Sequence, residues 1–248
     1  MKSIEFAEME LQVSSGGPGG AIKTGPRHDS FSGLVVATPT WKRALDISLS
    51  ILALAMLSPV WLAAVFALVL SGNGSVLFSQ ARVGRGEKLY TMFKFRTMNA
   101  PASNDASVSK AERESFLAEL SGTAEPSSET KLYRPQQQSR VTRVGQILRR
   151  YSIDELPQLL NVLRGDMSLV GPRPALPWEA ELFSIEQRRR HTVLPGMTGL
   201  WQVNGRNSVS SAEMLTLDLK YVDQFSLVTD LKILLKTPKA TIWDRHTG

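Results

Sequence analysis

The chain contains 24 consecutive residues without a charge, from Ile47 to Leu70. A straight helix of that length is ~36 Å long at about 1.5 Å per residue, which is enough to cross a hydrocarbon core of roughly 30 Å. Its middle carries Ser58 and Pro59. A proline inside a helix lacks an N–H and collides with the carbonyl four residues back, here that of Ala55, so the helix must bend. The Ser58 hydroxyl is placed to donate a hydrogen bond to the freed carbonyl one turn back. This bond matters in lipid, because the hydrocarbon offers no donor to an unpaired carbonyl. The sequence therefore predicts a membrane segment that bends at its centre.

Basic residues stand on both sides of this segment. Lys42 and Arg43 precede it, and the following stretch carries Arg82, Arg85, Lys88, Lys94 and Arg96. Positive residues stay on the cytoplasmic side of a membrane. A re-entrant hairpin obeys this rule on both flanks, whereas a spanning helix leaves one basic flank outside. Proline-kinked spanning helices also occur, so charge alone leaves both topologies open.

The charge balance indicates a polyanionic partner. The 248 residues carry a formal charge of +6 and a pI of about 9.7, which suits nucleic acid, anionic headgroups or a phosphorylated substrate. No nucleic-acid motif or basic stripe interleaved with aromatics is present, so we expect no nucleic-acid partner. The chain has no cysteine and three scattered histidines, which argues against disulfides and a zinc cluster.

The remaining patterns predict an α+β fold that is mainly helical. Residues 1–40 are rich in Gly, Ser and Pro and predict a disordered cytosolic tail. Two strands around Gly84-Arg85-Gly86 predict a small β-hairpin. We expect residues 99–139 to form a mobile insert with a short helix at "KAERESFLAEL". Further helices are predicted at "EAELFSIEQRRR", "EMLTLDLKYVDQF" and "SLVTDLKILLK"; the last two have amphipathic spacing and suit either a core or a membrane interface.

The stretch "RRYSIDELPQ", Arg149 to Gln158, sets two carboxylates before a proline. Ser152-x-x-Glu155 matches a helix capping box, but Pro157 then falls past the first turn and deletes a helical hydrogen bond. With Asp154 as N-cap, Pro157 lies within the first turn, where its missing N–H is harmless. The apolar side of the following helix is Leu156, Leu159, Leu160 and Leu163, its polar side is Asp154, Gln158 and Asn161, and Gly165 ends it.

Asp154 is either a structural cap or a reactive group. A carboxylate can attack phosphorus and form an acyl phosphate, but its charge repels a diphosphate, so cations must gather around it. Glu155 is a candidate ligand of Mg²⁺, which prefers oxygen ligands and substrate phosphates. The candidate cations are Lys94, Arg96, Arg149, Arg150 and Arg173.

Four motifs together resemble a known family. In order they are "KRALDISLSILALAMLSPV", "FKFRTM", "LRRYSIDELPQLLNVLRGDMSLVGPRP" and "LPGMTGLWQVNGR". They are similar to those of the bacterial sugar transferases, the monotopic polyprenyl-phosphate phosphoglycosyl transferases that start exopolysaccharide, capsule and O-antigen synthesis. The resemblance runs from about Trp41 onward and excludes the tail and the insert.

The resemblance implies transfer of a hexose 1-phosphate from a UDP-sugar to undecaprenyl phosphate, with release of UMP and with Mg²⁺ as cofactor. The "WQVNGR" motif is similar to the exopolysaccharide branch, so galactose or glucose is expected. The family also implies a re-entrant helix over residues 41–72, broken at Ser58-Pro59, with residues 73–248 as a catalytic domain on the cytoplasmic face of the bacterial inner membrane. A homo-oligomer is compatible with it.

The resemblance also implies roles for individual residues. Asp154 matches the family nucleophile, which forms a covalent aspartyl-phosphosugar intermediate, and Glu155 matches the Mg²⁺ ligand. The positions expected to contact substrate are Lys94, Arg96, Arg149, Arg173, Gln202 and Arg206. Two other functions stay open at this point. A non-catalytic scaffold of polysaccharide assembly would use Asp154 only as a cap, and a lipid-phosphate hydrolase would release inorganic phosphate instead of UMP.

Overall fold

The computed structural model describes residues 35–72, 74–99, 110–121, 140–205 and 209–243. These contain ten helices and four short strands, and single turns of 3₁₀ helix lie at Arg85–Glu87, Ile153–Glu155 and Arg189–Thr192. The elements are α1 (Thr40–Met56), α2 (Ser58–Leu70), β1 (Leu77–Val83), β2 (Leu89–Phe95), α3 (Lys110–Ser121), α4 (Arg143–Arg150), α5 (Gln158–Arg164), β3 (Ser168–Val170), α6 (Pro177–Glu181), α7 (Ile185–Arg188), β4 (Gly196–Thr198), α8 (Leu200–Asn204), α9 (Ser211–Asp223) and α10 (Leu227–Trp243). The predicted mainly helical α+β class is confirmed.

The uncharged run forms two helices that meet at Leu57 with a bend of 63°. Pro59 occupies the first turn of α2, where it breaks no helical bond, and the Ser58 hydroxyl donates to the Ala55 carbonyl at 2.9 Å. Among the described residues no single helix is both long and apolar enough to cross a membrane, whereas the bent pair has the length and composition to do so. The pair leaves large side chains uncovered around its elbow, namely Ile51, Leu52, Met56, Leu57, Val60, Leu62, Phe66, Val69 and Leu70. The predicted bend is confirmed.

Both ends of the bent pair pack on the same globular region. At the start of α1, the Trp41 ring lies 5.8 Å from that of Phe225. Past the elbow, the Trp61 ring meets Phe95 of β2 edge-on at 5.2 Å, and Ala64 and Leu68 of α2 are buried in the same cluster. α2 therefore returns to the region from which α1 departs.

The charges before the uncharged run do not form the solvent-facing flank that the charge argument assumed. Lys42 is only 2% exposed, and its ammonium lies 2.5 Å from Asp230 Oδ2 of α10. Arg43 donates to the carbonyls of Val162 and Leu163 at 2.5 and 2.6 Å, the last turn of α5. A buried ammonium needs a carboxylate, and orphaned carbonyls at a helix end need donors. These two residues thus attach α1 to the globular region.

The predicted β-hairpin is confirmed. β1 and β2 are antiparallel, with Leu77 opposite Phe95 and Val83 opposite Leu89. The turn between them uses positive φ at Gly86 (65°) and Glu87 (59°). A second, parallel pair of strands, β3 and β4, was not predicted. Its two segments are only three residues long and are bordered by glycine and proline, so they are too short to show the alternation that identifies a strand.

Several boundaries differ from the predictions. The single helix expected at "EAELFSIEQRRR" is two short helices, because Ser184 accepts a hydrogen bond from the Gln187 N–H and starts α7 afresh. The predicted helices at α3, α9 and α10 are present, and α10 extends beyond its predicted end through Pro238.

The tail and the insert lie mostly outside the described residues. At the end of the tail, the Val36 N–H donates to the Thr192 carbonyl at 2.9 Å. Of the insert, α3 is described from Lys110 to Ser121, and its Phe116 meets Trp178 edge-on at 5.3 Å. The disorder expected for residues 1–40 and the mobility expected for the insert remain predictions.

Candidate active site

The helix after the carboxylate pair is anchored to the β-hairpin by Asn161. This side chain is fully buried; its amide donates to the Thr91 carbonyl at 2.7 Å and accepts from the Phe93 N–H at 3.1 Å. A buried carboxamide with both groups bonded fixes α5 against β2. Gln158 and Asn161, which form the predicted polar side of the helix, are 3% and 0% exposed.

The carboxylate pair lies in a 3₁₀ turn before α5, and this corrects the expected cap. Asp154 and Glu155 belong to Ile153–Glu155, and α5 begins only at Gln158 with Pro157 at its N-cap position. Asp154 therefore does not cap α5, and Ser152 makes no capping hydrogen bond, so no capping box forms. Ser152 has φ 54°, a left-handed conformation that is unfavourable for a side chain other than glycine. Such backbone strain is concentrated at functional sites.

Two of the expected cations reach this turn. Lys94, near the end of β2, places its ammonium 3.0 Å from Glu155 Oε1. Arg149, in the last turn of α4, donates from Nε to Thr97 Oγ1 at 2.9 Å. Gly145 lets α4 approach the Thr97 backbone, because a Cβ there would stand 2.1 Å from the Thr97 carbonyl oxygen. The hairpin and α4 thus deliver one cation each to the carboxylate pair.

The surroundings change the acidity of Asp154. Burial and the neighbouring Glu155 carboxylate raise its pKa from 3.8 to about 6, whereas Lys94 and Arg149 act in the opposite direction. Burial disfavours the charged form, and a like charge adds to that effect. The group is still ionised at neutral pH, and its basicity exceeds that of an ordinary aspartate. A carboxylate that combines ionisation with raised basicity suits a nucleophile.

The other expected site residues lie in different surroundings. Arg173 forms an ion pair with Glu179 of α6, at 3.1 Å, and its carbonyl accepts from the buried Arg190 at 2.6 Å. Arg150 is exposed, and Arg96 lies next to Gly74, at the end of the bent segment. Arg206 lies outside the described residues. Substrate contacts by Arg96, Arg173 and Arg206 remain predictions.

Gln202 lies across a cavity of about 230 Å³ from the 3₁₀ turn Ile153–Glu155, which we call the catalytic turn because it carries the candidate nucleophile. Ser152, Glu155 and Leu156 line one side of this cavity, and Gln202 lines it from α8. α10 contributes a further wall through Leu234, Thr237 and Ala240. The structure thus brings together Lys94, Arg149, Asp154, Glu155 and Gln202 of the residues expected from the sequence.

The residues present fit Mg²⁺ only as an ion held mainly by its substrate. The described residues contain no group of three or more His, Cys, Asp or Glu side chains that would form a metal site. Mg²⁺ is commonly bound by one or two carboxylates together with substrate phosphates and water. Glu155, whose side chain is 32% exposed next to Lys94, offers one such carboxylate.

Sequence reasoning did not identify the supporting residues. Thr97 holds Arg149, Asn161 holds α5, and Lys42 and Arg43 hold α1. The sequence contains a signal for Asn161, because an amide among leucines in a helix is expected to need buried hydrogen-bond partners. Thr97, Lys42 and Arg43 give no such signal, because their partners are far away in the chain. Their roles follow only from the tertiary structure.

Comparison with known proteins assigns residues 37–244 to the family described as "Bacterial sugar transferase". The chain is 39% identical over 204 residues to the exopolysaccharide production protein ExoY of Sinorhizobium fredii, covering 82% of this chain and 86% of that protein. It is 39% identical to a UDP-glucose:undecaprenyl-phosphate glucose-1-phosphate transferase of Caulobacter vibrioides, covering 82% of this chain and 70% of that protein. It is equally similar to an undecaprenyl-phosphate galactose phosphotransferase of Salmonella typhimurium, at 39% over 201 residues and 81% of this chain, but spans only 40% of that protein.

Proposed function

The chain belongs to the bacterial sugar transferase family, and we propose that it transfers a hexose 1-phosphate from a UDP-sugar to undecaprenyl phosphate, releasing UMP. The sugar is galactose or glucose, and the reaction is the first membrane step of exopolysaccharide synthesis. The similarity to relatives named for glucose and galactose transfer supports the hexose.

The observation that carries the proposal is the carboxylate pair with its two cations. An Asp154 oxygen attacks the phosphorus that bears the sugar, a P–O bond forms, and the bond to the UMP oxygen breaks, so that UMP leaves with that electron pair. The acyl phosphate is then attacked by a phosphate oxygen of the lipid. The new P–O bond gives a lipid diphosphate sugar, and the Asp154 carboxylate is regenerated. Covalent catalysis lets one site serve a soluble and a lipid substrate in turn.

Lys94 and Arg149 oppose the negative charge that accumulates in both steps. Lys94 stands 3.0 Å from Glu155, and Arg149 is held by Thr97, so neither needs to be ordered when the substrate arrives. We propose Mg²⁺ as the cofactor, with Glu155 as its protein ligand. When bound, Mg²⁺ would neutralise part of the diphosphate charge.

We further propose that α1 and α2 form a re-entrant hairpin in the inner membrane and that the catalytic region lies on its cytoplasmic face. Three observations support this topology. The elbow exposes apolar side chains, α1 is tied to α5 and α10, and α2 packs on β2. A polyprenyl acceptor keeps its tail in the leaflet and its phosphate at the interface, where the catalytic turn then meets it.

The test measures UMP release from UDP-glucose and UDP-galactose by detergent-extracted protein supplied with undecaprenyl phosphate. Asp154→Asn should abolish release, while the protein should still unfold in one cooperative thermal transition with a Tm no lower than that of the wild type. Asp223→Asn is the matched control, because Asp223 is an exposed carboxylate paired with Arg189; it should retain full activity. With UDP-sugar alone, the wild type should also gain the mass of a hexose phosphate on the peptide that contains Asp154.

Each alternative function predicts another result. A scaffold turns over no donor, and a lipid-phosphate hydrolase releases inorganic phosphate from undecaprenyl phosphate without UMP. Full activity in Asp154→Asn would refute the nucleophile. Omission of Mg²⁺ should remove activity, and Glu155→Gln should raise the Mg²⁺ concentration that gives half-maximal rate. A homo-oligomer remains a prediction.

A further inference from the structure

Gln202, which lines the cavity beside the turn Ile153–Glu155, has a side-chain oxygen that lacks a partner in the described part of the chain. Among the described residues, no group bonds Gln202 Oε1, although this atom is buried. A buried acceptor without a hydrogen bond is unfavourable, and native structures contain few of them. The oxygen lies against Gly199, where an added Cβ would stand 2.7 Å from it, so rotation of the carboxamide toward the cavity would let a donor on a ligand satisfy it.

The other residues that line the cavity are either apolar or already hydrogen-bonded within the protein. Leu156, Leu169, Met197 and Leu234 are apolar lining residues. The hydroxyls of Thr198 and Thr237 lie 2.9 Å apart, and Thr237 also donates to the Ile233 carbonyl at 2.8 Å. Both threonines are thus satisfied within the protein. The ligand that fits presents apolar surface over most of its area and donates a hydrogen bond to Gln202.

The volume and the position of the cavity limit which part of the two substrates can occupy it. Sites for drug-sized ligands occupy roughly 300–1,000 Å³, so a cavity of about 230 Å³ accepts a single ring and not a whole nucleotide sugar. It begins at Ser152 and Glu155, directly beside Asp154. Its occupant must therefore be attached directly to a reacting phosphate. In the two substrates, only the transferred sugar and the first isoprene unit satisfy that condition, since ribose and a second phosphate separate the base from the reacting phosphorus.

The ability to donate a hydrogen bond distinguishes the two remaining candidates, the transferred sugar and the first isoprene unit. An isoprene unit has no donor, whereas a hexose carries several hydroxyls and also has C–H faces that suit leucine and methionine side chains. On the basis of the proposed function, we propose that this cavity binds the transferred hexose and that Gln202 is a specificity residue, accepting a hydrogen bond from one sugar hydroxyl. The sugar then stays in the same place while the donor and the acceptor exchange at Asp154.

The test uses UDP-hexoses in which one hydroxyl at a time is replaced by fluorine, because C–F donates no hydrogen bond. UMP release in the absence of acceptor reports the donor half-reaction alone. In the wild type, one of the replacements should lower kcat/KM by about 5- to 100-fold, the range expected when a buried acceptor is left unsatisfied. In Gln202→Met, which has similar volume and lacks the carboxamide, that same replacement should have little further effect.

Two further variants keep the test decisive. Asn204→Ala is the matched control, since Asn204 is an exposed amide on α8 that bonds only the Leu200 carbonyl among the contacts observed for it; it should keep the wild-type pattern. Ala240→Leu narrows the cavity from α10 and should lower donor kcat/KM while the KM for undecaprenyl phosphate stays unchanged.

The outcomes separate this inference from the proposed function. If the wild type releases no UMP from any UDP-sugar, the proposed function fails as well. If the wild type is active but Gln202→Met slows all fluorinated donors and the parent equally, Gln202 does not read a hydroxyl and the inference is wrong. If Gln202→Met and Ala240→Leu change only the KM for the lipid, the cavity holds isoprene instead. Weakened inhibition by UMP in Gln202→Met would assign the cavity to the nucleotide and would likewise overturn the proposal.

Discussion

Lys42 Nζ lies 2.5 Å from Asp230 Oδ2, although the two residues are 188 positions apart and both are almost fully buried. The Tyr221 hydroxyl donates to the other Asp230 oxygen at 2.8 Å, and the Val170 carbonyl accepts from Lys42 at 3.0 Å. The first turn of α1, the strand β3 and the helices α9 and α10 thus meet at one bonded charge pair. This pair fixes α1 relative to the wall of the cavity that α10 forms.

Removing one partner of this pair should destabilise the protein strongly. Lys42→Met leaves Asp230 buried without a counter-charge, and breaking a buried pair in this way costs about 3–5 kcal/mol. The double variant Lys42→Met/Asp230→Leu removes both charges of the pair and should recover part of the loss, because only the buried Asp46 then lacks the nearby Lys42 charge. Thermal unfolding in detergent measures both. Equal stability of the single and the double variant would show that the pair does not carry this interaction.

The donor half-reaction should depend on the ionisation of Asp154. Because the pKa of Asp154 is about 6, the proposed nucleophile is protonated below that pH and ionised above it. The rate of UMP release without acceptor should fall about tenfold for each pH unit below roughly 5 and reach a plateau above 7. Stopped assays between pH 4.5 and 8 give the profile. A rate that stays constant down to pH 4.5 would contradict the raised pKa.

The same pKa predicts that the ionised carboxylate of Asp154 reduces stability. A folded-state pKa near 6, above the usual aspartate pKa of 3.8, means that the folded protein binds this proton more tightly than the unfolded chain. The resulting stabilisation is fully present below pH 3.8 and is lost as the pH rises through 6. Asp154→Asn should therefore be more stable than the wild type at pH 8, by roughly 1–3 kcal/mol. The difference should shrink toward pH 4, and a Tm difference that is the same at both pH values would refute the argument.

Lys94 should influence both the rate and its pH dependence. Its positive charge lowers the pKa of Asp154, so Lys94→Gln should move the acid limb of the profile to higher pH. The loss of a fixed charge beside the transferred phosphate should also lower kcat, on the order of 100-fold. Lys88→Gln is the control, because Lys88 is exposed near the turn of the same hairpin. A lower kcat with an unmoved acid limb would mean that Lys94 acts on substrate alone.

Local patterns predicted the elements that have local causes. Proline at position 59 predicted the bend, the turn residues 84–86 predicted the hairpin, and Gly165 ends α5 with φ 89°, as expected for a glycine after a helix. Motif resemblance singled out Asp154, Glu155, Lys94 and Arg149, which the structure places close together, and their roles toward substrate remain predictions. Their proximity depends on β2 and α4 meeting at Thr97, which no short-range pattern specifies.

The predictions were wrong where two local signals competed, or where a residue distant in the sequence determines the structure. The cap argument weighed Ser152 against Asp154, but the chain uses a left-handed residue and a 3₁₀ turn, and α5 begins after both. The composition around Ser184 predicted one continuous helix. The chain forms two helices there, because the Ser184 hydroxyl accepts a hydrogen bond from the Gln187 N–H and so begins a new helix. Lys42 was interpreted from its place beside an apolar run, and its actual partner lies near the other end of the chain.

The topology of α1 and α2 can be tested with single cysteines, because the chain has none of its own. Ala37 and Ser75 are exposed on either side of the bent pair, and Met56 at the elbow is 72% exposed. In a re-entrant hairpin, Ala37→Cys and Ser75→Cys should both resist a membrane-impermeant maleimide in intact bacterial cells and should both react after permeabilisation. Met56→Cys should react slowly in both cases, because its thiol lies in hydrocarbon. Lys88→Cys provides the cytoplasmic reference.

A spanning arrangement predicts a different pattern, and it also conflicts with the packing. If the segment crossed the membrane, only one of Ala37→Cys and Ser75→Cys would react in intact cells. The Trp61 ring would then be carried away from Phe95, from which it is now 5.2 Å. Ala64 and Leu68 would lose their contacts with the cluster that contains Leu148 of α4. Trp61→Ala should therefore loosen α2 in the re-entrant form, seen as a lower Tm, but should have no such effect if α2 lies on the far side.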